Sequence, residues 1–232
     1  MRAPLPVWSR SEMMFSDALS YPIRGSGWIM ILIGAIFSVI LDVLGFVPII
    51  GLAVALFSAG YFGSFYLDII STTMTDRDES PDWPSFSSFI DDIISPFLRL
   101  VGFVFISFLP ALALLFADQR APWFIPAIVA AVVYGCFYFP MAVLASQAFG
   151  RLGAALPHIV FPAIFRALPG YLLAVVALVA GFIVCAVAQA FTAEVPYVGW
   201  FLTAAVALYS LMFQARLIGL IYRAKSDELG WE

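Results

Sequence analysis

Six stretches of this chain, residues 27–45, 49–73, 97–116, 123–149, 169–191 and 198–222, are almost continuously apolar. Each is close to the ~20 residues that a helix needs to cross the hydrocarbon of a bilayer. Lipid offers no hydrogen-bond partner to a bare backbone, so such segments must be helices or the wall of a closed barrel. Barrel strands alternate apolar and polar positions, and these runs do not. The expected fold is all-α: one polytopic transmembrane domain over 1–232, with about six transmembrane helices arranged as three hairpins. Composition agrees, since 63% of residues are hydrophobic, 11% are charged and the mean hydropathy is +1.02, well above a soluble domain with a wetted surface.

The positive charges test this parse. With the amino terminus inside, Arg2, Arg10, Arg24, Arg77, Arg99, Arg151, Arg166, Arg216, Arg223 and Lys225 fall on one side, and Arg120 alone on the other. That asymmetry follows the positive-inside rule and puts both termini on the cytoplasmic face. Gly45 to Gly51, with Pro48 inside, reads as a tight turn between the first two spans, and Pro122 and Pro196 mark the other outer turns. Residues 1–21 carry arginines but no apolar h-region, so they do not read as a signal peptide.

Each hairpin follows a half-apolar segment: SDALSYPIRGSGW, SFIDDIISPFLRLVGF and HIVFPAIFRALPGY. The expectation is a short interfacial amphipathic helix before each hairpin, the first with Met13, Met14, Phe15, Leu19 and Tyr21 on one face. Between the second and third spans lies a cytoplasmic connector, 74–96, the longest polar run in the chain. Its acids Asp76, Asp78, Glu79 and Asp82 lack the central Gly and closing Glu of an EF-hand, so they read as a solvated loop. After them Trp83, Phe86, Phe89, Ile90 and Ile93 form an apolar stripe at helical spacing while Asp91 and Asp92 stay wet. The stripe suits a helix in the headgroup plane, or a face that docks on a partner or on the protein's own cytoplasmic side.

Three segments, YPIRGSGW, GYFGSFYLDIISTTMTDRDESPDWPSF and GLIYRAKSDELGW, resemble in order the DUF4013 family of uncharacterised multi-pass prokaryotic membrane proteins. The Gly60-Tyr61 pair and the Pro81-Asp82-Trp83 element carry the likeness. The resemblance implies a protein of the prokaryotic cytoplasmic (inner) membrane and brings no activity, so no catalytic residue is carried over.

Ionisable groups inside the spans are few. Asp68 lies about one turn inside the cytoplasmic end of the second span and Arg216 at a similar depth in the sixth. A charge at that depth must be paired, solvated or neutral. The two either pair as a structural clamp or snorkel separately to the headgroups. Asp42 sits near the outer end of the first span, and Gln147, Gln189 and Gln214 can hydrogen-bond between helices. Small residues such as Gly60 and Ser64 permit close helix packing, and Trp28, Trp123 and Trp200 fall where interfacial anchors should.

No metal, cofactor or catalytic constellation emerges. His158 is the single histidine and reads as a surface or interfacial residue; Cys136 and Cys185 each lie inside an apolar run and read as buried thiols. There is no phosphate loop, nucleophile elbow or HExxH. The net charge of −4 gives no footprint for nucleic acid. The expected role is therefore a non-catalytic scaffold or accessory subunit of a membrane complex, with the lipid bilayer and a protein partner or a second copy as its contacts. A small transporter or channel, alone or as an oligomer, is the alternative; it predicts a polar cavity lined by Asp68, Gln147, Gln189 or Gln214, or a repeat related by symmetry around a pore. A lipid-acting enzyme would need acid, base or metal ligands clustered at one depth.

Overall fold

A computed structural model describes residues 7–75, 83, 88, 90–196 and 198–231. It is helical throughout: α1 (Val7–Ser20), α2 (Gly27–Gly45), α3 (Pro48–Met74), α4 (Ser95–Leu114), α5 (Phe124–Phe149), α6 (Pro157–Ala193) and α7 (Gly199–Leu229). Short 3-10 turns at Tyr21–Ile23 and Leu152–Ala155 and one π-helical turn at Ile90–Ile94 join them. Six helices are long and apolar enough to cross a membrane, so the chain is a polytopic helical membrane protein. Exposed Leu, Ile, Val and Phe side chains along α2, α4, α5 and α6 face the bilayer.

From α2 to α7 each helix packs on its neighbour in the chain, α7 closes the arc by packing on α2 and α3 as well as α6, and α1 packs on α7 and α6 instead of α2. Helix α7 is the most enclosed of the six. The core is filled by large side chains, with Phe65, Phe103, Tyr138, Met141, Leu144, Tyr171, Met212 and Phe213 at most 2% exposed. An even number of passes leaves Val7 and Trp231 at one end with Arg24, Arg99, Arg151, Arg166, Arg223 and Lys225; Arg120 lies at the other. We refer to these as the basic end and the opposite end. At the basic end Trp231 packs on Phe149 and Tyr222, and the Arg166 guanidinium donates to the Leu229 carbonyl at 3.2 Å.

The helices agree with the apolar pattern to within a few residues, apart from α6, which begins at Pro157, and α7, which continues through Leu229 until the left-handed Gly230 stops it. The segments leading into the hairpins differ from expectation. Among the described residues only α1 is a separate helix. The π-helical turn runs straight into α4, and α6 continues unbroken for 37 residues through Pro162 and Pro169. At 1.5 Å per residue α6 is about 55 Å long, far beyond the ~30 Å hydrocarbon, so its first turns stand clear of the bilayer or tilt within it. Membrane helices accommodate proline because neighbouring groups re-satisfy the freed carbonyls.

The expected face of α1 is split. Tyr21 is buried, Phe15 packs edge-on against Phe213 of α7, and Met13 and Leu19 stay exposed. The Tyr209 hydroxyl donates to the Leu19 carbonyl at 2.7 Å, so α1 is tied to the bundle as well as facing outward.

Candidate functional site

The buried charge of α7 has a partner outside the six spans. Arg216 is 1% exposed, and its Nε and Nη2 both donate to Asp17 Oδ2 at 2.9 Å. Asp17 Oδ1 accepts from Arg24 at 2.9 Å, and Arg216 Nη1 lies 3.4 Å from Thr73 Oγ1. The Tyr21 ring covers the guanidinium at 4.9 Å. Four segments, α1, the Tyr21 turn, α3 and α7, are thereby held at one point. Burial works to raise the Asp17 carboxyl, but the Arg216 and Arg24 guanidiniums outweigh it and hold the carboxyl below the usual carboxylate range.

Arg216 is thus paired with Asp17 and not with Asp68. The reason is angular. Thr73 faces α7, and Asp68, five residues earlier, is rotated about 140° from it at 3.6 residues per turn. Asp68 opens instead toward α4 and α5, so matched depth along the membrane normal was not matched direction.

On that side lies a polar cavity of about 280 Å³, lined by Ser64, Leu67, Asp68, Ser71, Asp91, Asp92, Ser95, Pro96, Arg99 and Gln147. It is enclosed by α3, the π-helical turn and the starts or ends of α4 and α5. The Gln147 amide donates to the Leu67 carbonyl at 3.4 Å. Ser88 holds both connector acids, its amide donating to Asp92 Oδ2 and its hydroxyl to Asp91 Oδ2, each at 2.9 Å. Ser71 and Thr72 hydroxyls return to the Asp68 carbonyl oxygen, and no described side chain donates to the Asp68 carboxylate. π-helical turns recur at functional sites in helical proteins, and this one supplies two of the cavity's three acids.

The connector stripe does not form one outward face. Trp83 stacks on Phe65 at 5.0 Å and on Tyr61 at 5.9 Å, and its ring lies against Gly34, where a Cβ would collide with it. Ile93 is 1% exposed and fills the space left by Gly60 on α3. Both side chains are taken up by the protein's own bundle, and of the described residues only Ile90 projects outward. Phe86, Phe89 and the acids Asp76, Asp78, Glu79 and Asp82 lie outside the described residues. Together Phe37, Phe57, Tyr61, Phe62, Phe65 and Trp83 form an aromatic cluster between α2 and α3.

At the opposite end a groove of about 760 Å³ between α2, α3, α6 and α7 is lined by Ser38, Asp42, Gly45, Gly51, Ala55, Ser58, Trp200, Thr203, Ala204 and others. Asp42 therefore faces a groove between helices. On α3, the groove and the Asp68 cavity open on different faces, with the aromatic cluster between their levels. Gln214 is satisfied within α7 by Ser210, and Gln189 is half-buried, its carbonyl accepting from Thr192. His158 is exposed, Cys185 is buried and Cys136 half-buried. Among the described residues no group of three His, Cys, Asp or Glu is close enough to hold a metal. Trp28, Trp123 and Trp200 are each more than half exposed, and Trp200 lines the groove beside Phe46.

Comparison of the chain with known families, curated proteins and solved structures finds no match.

Proposed function

We propose that the protein is a non-catalytic scaffold or accessory subunit of a membrane complex, resident in the prokaryotic cytoplasmic membrane with both termini cytoplasmic. The observation that carries this reading is the centre of the bundle. Aromatic and aliphatic side chains fill it, and its buried guanidinium is committed to joining α1, α3 and α7. Such an arrangement fixes helices relative to one another. The orientation rests on the Lys and Arg asymmetry, and the prokaryotic setting on the resemblance of the connector and both ends to the DUF4013 family. With Trp83 and Ile93 turned inward, these two connector side chains are taken up by the bundle and not offered to a partner. The groove at the opposite end offers Gly45, Gly51, Ala55 and Ala204, the kind of small side chains that let a partner helix approach closely.

The test is extraction from the native membrane in a mild detergent, followed by mass spectrometry of whatever migrates with the protein at native size. A stoichiometric protein partner is expected; migration alone argues against the accessory role.

One observation favours a second reading, a small transporter or channel: the polar cavity that reaches Asp68. Flux in liposomes that is lost in Asp68→Asn would select it.

A further inference from the structure

The cavity beside Asp68 is built in a way that the packing of the bundle does not require. Ser64 lines it, is 8% exposed, and has no hydrogen-bond partner among the described residues. Its hydroxyl is open to the cavity, where it can donate to or accept from whatever occupies that space. One helical turn further along α3, the Asp68 carboxylate faces the same space, also without a described donor. Gln147 spends its amide nitrogen on the Leu67 carbonyl, which leaves Oε1 able to accept. Three acceptors of different kinds thus surround one volume, a set that suits a group with several N–H donors.

Charge says more about that group. Among the described lining residues Asp68, Asp91 and Asp92 outnumber the guanidinium of Arg99, so the described lining favours a cation. A bare metal ion is a poor fit, because the carboxylates are not gathered closely enough to chelate one. A primary ammonium fits, with three donors to distribute. Arg99 is exposed at the rim and makes no ion pair with any described residue, so it is available to an anion carried by the same ligand. At about 280 Å³ the cavity is slightly below the size of drug-sized sites and takes a compact headgroup, not a whole lipid. Depth agrees, since Asp68 lies six residues, about 9 Å, from the end of α3, close to the thickness of a headgroup layer.

We propose that this cavity binds a phosphoethanolamine group, with the ammonium held by Asp68, Ser64 and Gln147 and the phosphate by Arg99. The group is supplied by a phospholipid headgroup or by the free phosphomonoester. The site stands apart from the scaffold reading: a protein with a partner but no headgroup preference overturns this proposal alone.

The full chain is reconstituted in phosphatidylcholine vesicles doped with phosphatidylethanolamine or with phosphatidylglycerol, re-extracted in mild detergent, and its retained lipids are counted by native mass spectrometry. Wild-type protein is expected to retain phosphatidylethanolamine about tenfold over both others, the scale of one charge-assisted hydrogen bond. Phosphatidylcholine shares the phosphate but its trimethylammonium has no N–H, so the wild-type comparison decides without any variant having to fold. In Asp68→Asn the preference should fall toward parity, whereas Arg99→Gln, whose phosphate partner all three lipids share, should lower the retention of all three and leave their ratio unchanged. Displacement by free O-phosphoethanolamine would support the site and show that it also takes the soluble form; resistance to displacement would support it as a lipid site. Equal retention of the three lipids, or a preference that survives Asp68→Asn, overturns the proposal.

Discussion

Asp17 and Arg216, 199 positions apart in sequence, meet through two 2.9 Å contacts at the basic end of the bundle. The pair joins the first helix to the last, and Thr73 brings in α3. A guanidinium 2% exposed in its side chain loses a charged partner at a cost, so removal of Asp17 should be felt. Asp17→Ala is expected to destabilise the protein by about 2–3 kcal/mol, less than the ~3–5 kcal/mol of a fully buried pair because Asp17 keeps 27% of its side chain in solvent. Arg24→Ala removes contacts to Asp17 and Ser20 from a guanidinium that is 52% exposed and should cost less than about 1 kcal/mol. Thermal unfolding in detergent measures both; equal effects would mean that Arg216 does not depend on Asp17.

The same pair sets a pH dependence. Because the folded carboxyl of Asp17 is held below its unfolded value, its contribution is complete at neutral pH and is lost as pH falls below about 4 through the folded value. The unfolding temperature of wild-type protein should drop over that range more steeply than that of Asp17→Asn. Parallel curves would remove Asp17 as the titrating group.

Trp83 is expected to act as a wedge between α2 and α3. Trp83→Ala should cost about 3 kcal/mol, the low end for large aromatic truncations because the ring is only partly buried. Gly34→Leu should destabilise as well, by pushing the ring out. A Trp83→Ala variant with an unchanged unfolding midpoint would show that the ring is not inserted.

These two contacts mark where the sequence stops being informative. Six continuous apolar runs and exposed tryptophans depend on local composition, so they are visible one segment at a time. The partner of Arg216 is a matter of direction: Asp68 has the right depth and the wrong face of α3, and nothing near Asp17 signals that α1 folds onto α7. The stripe from Trp83 to Ile93 is apolar whether it meets lipid, a partner or the chain's own bundle, and only Gly34 and Gly60, which leave room for Trp83 and Ile93, decide between them. Pro162 and Pro169 read as helix breakers by the habits of soluble proteins, yet α6 runs through both. The cavity was legible only as single polar residues on α3, α5 and the connector, with no cue that they share a space.

The orientation is open to a simple check. A reporter fused after Glu232 should read cytoplasmic and one inserted at Gln119, in the turn between α4 and α5, should read from the other side of the membrane. Two readings from the same side would remove the even number of crossings.

The claim on which the functional account rests is that the core seals the Asp68 cavity from the opposite end of the bundle. In a chain with Cys136 and Cys185 replaced by Ala, cysteines are introduced singly at Ser64, in the cavity, and at Phe213, in the packed core. A membrane-impermeant thiol reagent is then applied to each side of sealed vesicles. The account predicts labelling of Ser64→Cys from the side of the basic end only, and no labelling of Phe213→Cys from either. Modification of Ser64→Cys from the opposite side, or of Phe213→Cys from any side, would reveal a continuous aqueous path and contradict the sealed scaffold in favour of a transporter or channel.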